Sequence, residues 1–109
     1  RDRALIALRI KGGEEPSMRV AWCAPFDGRG QPISTTTDGR TDRIVWVAGG
    51  GIDGDGRLHG FRADTGAAVF SGGGPDDRME GLQRFETILA ADGRLFAAGN
   101  GRIYAFAPR

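Results

Sequence analysis

The sequence predicts an all-β protein built of antiparallel sheets, and three observations carry that expectation. Nineteen of its 109 residues are glycine and five are proline, and they separate short apolar runs without any Gly-X-Y period. That spacing excludes collagen and reads as a turn-dense β chain. No window of 11 residues holds a convincing helical period. The breaks between runs are rich in Asp-Gly and Asn-Gly, which supply the positive φ angles of tight hairpins.

Nine strands follow in order: Ala4–Ile10, Met18–Cys23, Ile33–Thr37, Arg43–Ala48, Arg57–Ala63, Ala67–Ser71, Arg84–Ala91, Leu95–Gly99 and Arg102–Ala107. Gly12-Gly13, Asp38-Gly39, Asp53-Gly54-Asp55-Gly56, Asp64-Thr65-Gly66, Asp92-Gly93 and Asn100-Gly101 supply the turns. The one helical candidate is Asp76–Phe85, where Met79, Leu82 and Phe85 recur at spacing three. It follows Gly72-Gly73-Gly74-Pro75, so a loop with one helical turn is expected there.

The strands repeat. Arg57–Arg62 aligns with Arg102–Ala107, 45 positions later, and with Ala4–Arg9, 53 positions earlier. Ile44–Gly49 matches Leu95–Gly99 ahead of two of these copies, and a strand ending in an aromatic follows two of them, at Trp22 and Phe70. A period of this length holding four strands is the spacing of β-propeller blades. In Leu58-His59-Gly60-Phe61 and Ile103-Tyr104-Ala105-Phe106 both alternate sets contain apolar residues. A sheet with one wet face would alternate apolar with polar, whereas a blade between two neighbours is dry on both sides. The expected architecture is a β-propeller of four-stranded antiparallel blades rather than a two-sheet sandwich.

Gly60–Phe70 resembles the eleven-residue docking motif Ala-x-Asp-x-x-Thr-Gly-x-x-x-Trp of quinoprotein-type (pyrroloquinoline-quinone-like, PQQ-like) propeller repeats. Thr65 and Gly66 match it directly, Gly60 stands for the alanine, Phe70 for the tryptophan, and Arg62 replaces the acidic residue. An earlier copy has Ala7 and Trp22 at the alanine and tryptophan positions. The resemblance implies that Trp22 and Phe70, with Thr65 and Gly66, dock successive blades together. It implies a partial blade over residues 1–26, a full blade over 31–74 and an incomplete last blade over 84–109. A propeller needs at least about four blades, so the chain is expected to be a C-terminal part of a larger propeller. By resemblance alone, the location would be periplasmic or extracellular and the lineage bacterial.

Composition excludes several classes. Fifteen basic and 14 acidic residues are spread evenly, for a net charge of +1, so no nucleic-acid face is expected. No uninterrupted apolar run exceeds five residues, far short of the roughly 20 of a membrane span. The chain opens on Arg1, with no signal-peptide pattern after it, which points to a processed chain or a fragment. Cys23 is the single cysteine, so no intrachain disulfide can form, and with His59 as the single histidine a Cys/His zinc site lacks ligands.

Candidate chemistry is sparse. Asp53 and Asp55 are the metal candidates, as part of a calcium-like loop, but Arg57 falls at its fifth position and Asp64 where a glutamate belongs. A hairpin turn without metal is expected. Gly49-Gly50-Gly51 with Gly54 and Gly56 lacks the Gly-Lys-Ser/Thr of a phosphate loop. Cys23, His59 and Trp46 are read as packing residues, and Glu14-Glu15 and Asp76-Asp77 as solvated pairs. The expected function is a non-catalytic binding or scaffold module with no assignable cofactor. Its partners would be remaining blades, other copies of the chain, or a protein or glycan. The alternative is the C-terminal part of a quinone-dependent dehydrogenase, for which the resemblance implies PQQ and calcium.

Overall fold

The structure is a computed structural model that describes residues 3–107. The expected boundaries at residues 1 and 109 lie outside the described residues. Nine strands form: β1 (Ala4–Lys11), β2 (Ser17–Pro25), β3 (Ile33–Thr35), β4 (Ile44–Ala48), β5 (Leu58–Arg62), β6 (Ala68–Ser71), β7 (Leu89–Ala91), β8 (Arg94–Gly99) and β9 (Arg102–Phe106). They make three antiparallel sheets, the hairpin β1-β2 and the meanders β3-β4-β5-β6 and β7-β8-β9. The all-β expectation therefore holds. The Asp-Gly and Asn-Gly turns behave as their chemistry requires, with Asp92, Gly93, Asn100 and Gly101 all at positive φ.

The two central strands of the middle sheet, β4 and β5, are covered on both faces because both alternate sets of their residues are apolar. Trp46 and Ala48 of β4 lie opposite Gly60 and Leu58 of β5. They join a core with Met79, Leu82, Ile88, Leu95 and Ala97, toward the third sheet. Val47 and Phe61 point the other way and close a second core with Ala24, Phe26, Leu5 and Trp22 of the first sheet and its exit. Leu58, Met79 and Val47 are the largest fully buried side chains.

The first two sheets share an irregularity. In the first, Ala7 faces Trp22 and Leu8 faces Val20, leaving Ala21 extra. In the second, Gly60 faces Phe70 and Phe61 faces Ala68, leaving Val69 extra. Each is a β-bulge beside the aromatic that ends the repeat, at matching positions of the alignment. A bulge re-aims the side chain next to it, so its recurrence is part of the repeat.

Two expectations are corrected. The strand expected over Arg84–Ala91 begins only at Leu89. Phe85 takes a left-handed φ of 63° and donates its amide to the Arg29 carbonyl, which breaks the extended run. Upstream, Pro75–Asp77 forms one short 3-10 turn, while Met79 and Leu82 enter the core and Phe85 stays 62% exposed. Cys23 is exposed, not buried. It lies opposite Ile6, and that face of the first sheet, with Ile10, Met18 and Val20, is uncovered.

Asp38 organises the β3–β4 turn. Its carboxylate accepts from the Thr41 amide at 2.6 Å, the Arg40 amide at 2.8 Å and the Thr41 hydroxyl at 2.9 Å. Those bonds, the Thr41 amide foremost, hold its pKa below the ordinary aspartate value. A depressed carboxylate pKa stabilises the folded turn above the unfolded value, and that contribution is lost as pH falls through the folded pKa. In an NMR titration the Arg40 and Thr41 amides should therefore shift with a midpoint below about 3.9. In Asp38→Asn this transition should vanish. A midpoint at or above the ordinary value would contradict the geometry.

Candidate functional site

Three loops converge at one end of the sheets: residues 26–31 after β2, 49–57 between β4 and β5, and 78–86 before β7. Backbone hydrogen bonds knit them. Arg29 donates its amide to the Gly50 carbonyl at 3.0 Å, Asp55 to Asp27 at 3.1 Å, Gly51 to Leu82 at 3.1 Å, Met79 to Gly56 at 2.7 Å and Phe85 to Arg29 at 2.6 Å. The glycine-rich β4–β5 loop serves this knot. A Cβ on Gly54 would collide with the Gly49 carbonyl, and one on Gly50 with the Gln83 carbonyl. The amides of Gly49, Gly50, Gly51, Gly54 and Gly56 all donate to carbonyls of the chain. A phosphate cradle needs such groups turned outward, so this loop is a junction instead.

Asp53 and Asp55 do not converge on a common point for a cation. Asp53 faces Arg3 at 3.9 Å and Arg29 at 3.6 Å. Asp55 Oδ2 lies 2.6 Å from His59 Nε2, and its other oxygen accepts from the Arg57 amide at 3.0 Å. Among the described residues no three His, Cys, Asp or Glu side chains are placed to share a metal ion. His59 stacks on Phe61, with ring planes 8° apart, and meets Phe26 edge-on at 5.4 Å. It packs between sheets while tying the junction loop to β5. Tyr104, its counterpart in the repeat, reaches back in the same way: its hydroxyl accepts from the Glu80 amide at 3.1 Å.

Glu14 and Glu15 are exposed in the β1–β2 turn, and Asp76 is exposed in the 3-10 turn. Asp77 is half-buried and accepts from the Gly74 amide at 2.7 Å. Neither pair forms an acid–base dyad. Trp46 is buried and donates its indole N–H to the Thr35 hydroxyl at 2.9 Å.

The residues of the repeat motif meet across the sheets. Trp22 donates its indole N–H to the Ala63 carbonyl at 2.8 Å, and its ring centroid lies 6.3 Å from that of Phe61. The ring lies against Gly66, where a Cβ would come within 2.6 Å of it. Phe70 makes the corresponding contact one sheet later, with its ring 6.3 Å from Phe106. Phe61 and Phe106 are aligned in the repeat, so the two contacts are equivalent. Thr65 is exposed and its hydroxyl accepts from the Ala67 amide within the same turn. Arg62, in place of the motif's acidic residue, forks onto Asp64 at 3.1 and 3.0 Å.

Two clefts accompany this framework. One, of about 610 Å³, runs between the middle and third sheets over Ile44, Trp46, Phe70 and Leu95. The hydroxyls along its rim are turned to partners in the chain: Thr35 to Trp46, Thr36 to Gly39 and Thr37 to Asp42. The other, of about 420 Å³, lies at the loop junction and is lined by Arg3, Gly28, Arg29, Asp53, Arg84 and Phe85, among others. Sequence reasoning missed these arginines and Phe85. The nearest signal is Asp27-Gly28-Arg29, one of four Asp-Gly-Arg triplets, and nothing local distinguishes it from the others.

No family model, curated protein or solved structure matches the chain. No helix among the described residues is long and apolar enough to cross a membrane.

Proposed function

We propose that the chain is a segment of a β-propeller of the quinoprotein repeat type, serving as a non-catalytic binding or scaffold module. One observation carries this reading. The bulge and the aromatic beside it recur in register, and each aromatic reaches the same position of the next sheet: Trp22 to Phe61, Phe70 to Phe106. Repetition of both the local geometry and the contact is what stacking of like blades requires. The alternation of dry faces and the four-strand middle sheet support the same arrangement. The candidate pair Asp53 and Asp55 turns to different partners, Arg3 and Arg29 on one side and His59 with the Arg57 amide on the other, and does not converge on one cation. This favours the non-catalytic reading over the alternative.

The test is a pair of double-mutant cycles, Trp22/Phe61 and Phe70/Phe106, each to alanine, read by chemical denaturation at fixed chain concentration. Equivalent docking contacts predict coupling of about 0.5–1.5 kcal/mol in both cycles. Coupling in one and none in the other would break the repeat argument. Because Phe70 is half-buried, its truncation alone should cost less than the roughly 3–5 kcal/mol of a fully buried phenylalanine.

A further inference from the structure

We infer that the junction cleft of Arg29, Arg84 and Phe85 binds a carboxylate-bearing sugar, a uronic acid residue of an acidic glycan. The inference rests on the binding-module reading and assigns that module a ligand class.

Phe85 carries the first part of the argument. A bulky aromatic residue at positive φ is an outlier that persists only when its surroundings fix it. Here its amide is held by the Arg29 carbonyl at 2.6 Å, and the Glu86 carbonyl is held by the Gln31 amide at 2.8 Å. The result is a ring that remains 62% exposed while lining a cleft. A core side chain is not displayed in this way, and a turn residue would ordinarily be glycine or asparagine.

Charge carries the second part. Arg3 at the cleft wall is matched by Asp27 at 3.6 Å and Asp53 at 3.9 Å, which leaves Arg29, sharing Asp53, and Arg84 as the guanidiniums that an added anion can engage. Arg29 engages Asp53 only at 3.6 Å, with both side chains about half exposed. Arg84 makes no ion pair among the described residues, and its guanidinium sits 6.0 Å from the Phe85 ring centroid. Loose, solvated ion pairs contribute little to stability and are readily exchanged for a better acceptor. A planar guanidinium matches a carboxylate bidentately.

Together these features place an exposed aromatic ring beside two guanidiniums in one cleft. A pyranose ring offers an apolar C–H face for the aromatic and, when it is a uronate, a carboxylate on its rim. A neutral sugar would leave Arg84 unanswered, and a bare inorganic anion would leave Phe85 unused. The volume of about 420 Å³ admits a short segment of such a chain, open at its ends.

The test uses the full chain in whatever assembled state it purifies. Binding of trigalacturonate is measured by calorimetry beside methyl-esterified trigalacturonate, which has the same sugars without the charge, and a glutamate hexapeptide. Binding of trigalacturonate should weaken with added salt, and the ester and the peptide should bind at least tenfold more weakly. Arg84→Gln should weaken trigalacturonate at least tenfold. Phe85→Asn should do the same while retaining the fold, because asparagine tolerates positive φ; an unchanged far-ultraviolet circular dichroism spectrum checks this. Equal binding of the peptide would replace the glycan with an acidic protein segment and overturn the inference. Absence of trigalacturonate binding, or binding indifferent to both substitutions, would also overturn it. Neither outcome touches the inter-sheet coupling that tests the binding-module reading.

Discussion

Gly60→Val should destabilise the chain by about 3 kcal/mol, although valine is by propensity the better strand residue. Gly60 is buried in β5 opposite Trp46. A Cβ there would stand 2.5 Å from Trp46 Cζ3 and 2.7 Å from Cε3. The indole cannot retreat freely. It is buried, its N–H is spent on Thr35, and its ring lies 6.3 Å from Phe70. Displacing it means losing that hydrogen bond, worth about 1 kcal/mol, and overpacking the shared core, which costs typically about 1–3 kcal/mol. Gly12→Val is the control, since nothing lies within 4 Å of a Cβ at Gly12. Denaturant midpoints of the two variants check the claim. A Gly60→Val midpoint as close to wild type as the control's would mean that the ring and the strand are not in contact.

Gly66→Val should cost as much, through two separable effects. Gly66 has a φ of +79°, where a β-branched residue is strained by more than the roughly 1–2 kcal/mol of an ordinary side chain. Its Cβ would also press on Trp22, 2.6 Å from Cδ2, and loosen the indole bond to Ala63. Backbone strain is intrinsic to the turn, while the steric part exists only if Trp22 is seated there. In a Trp22→Ala background, Gly66→Val should therefore cost less than in the wild type, by about 1 kcal/mol or more. Strict additivity of the two substitutions would show that Trp22 does not rest on the Asp64-Thr65-Gly66 turn.

Much of this architecture is legible in the chain because hairpin chemistry is local. Asp92-Gly93 and Asn100-Gly101 mark turns whatever surrounds them, and alternating apolar sets in Leu58–Phe61 announce a sheet covered on both faces. Repetition placed Trp22 and Phe70 at equivalent docking positions, but the partner of Trp22, Phe61, lies 39 residues away and nothing local announces it. What was not legible depends on long-range backbone contacts. Nothing around Arg84–Ala91 says that the Arg29 carbonyl will bend Phe85 out of a strand. The exposure of Cys23 depends on the absence of a covering layer over Ile6 and Val20, which an apolar stretch cannot report. The cleft draws Arg3, Arg29, Asp53 and Arg84 from four separate segments, with no spacing to connect them.

The proposed stacking of these sheets face to face in a longer series is most directly at stake on the outermost faces. On the first sheet Ile6, Ile10, Met18 and Val20 are 53%, 73%, 64% and 59% exposed. On the third, Leu89 and Ile103 are 65% and 77% exposed, and β9 has an unpaired edge among the described residues. Repeat units of this kind need neighbours or polar caps, and apolar faces with open strand edges drive association. Sedimentation velocity on the purified 109-residue chain, with thermal unfolding alongside, is the most direct measurement. Stacking through these faces predicts species well above 11.6 kDa, either defined assemblies of the chain or larger aggregates. A single monodisperse 11.6 kDa species with a cooperative unfolding transition would contradict it.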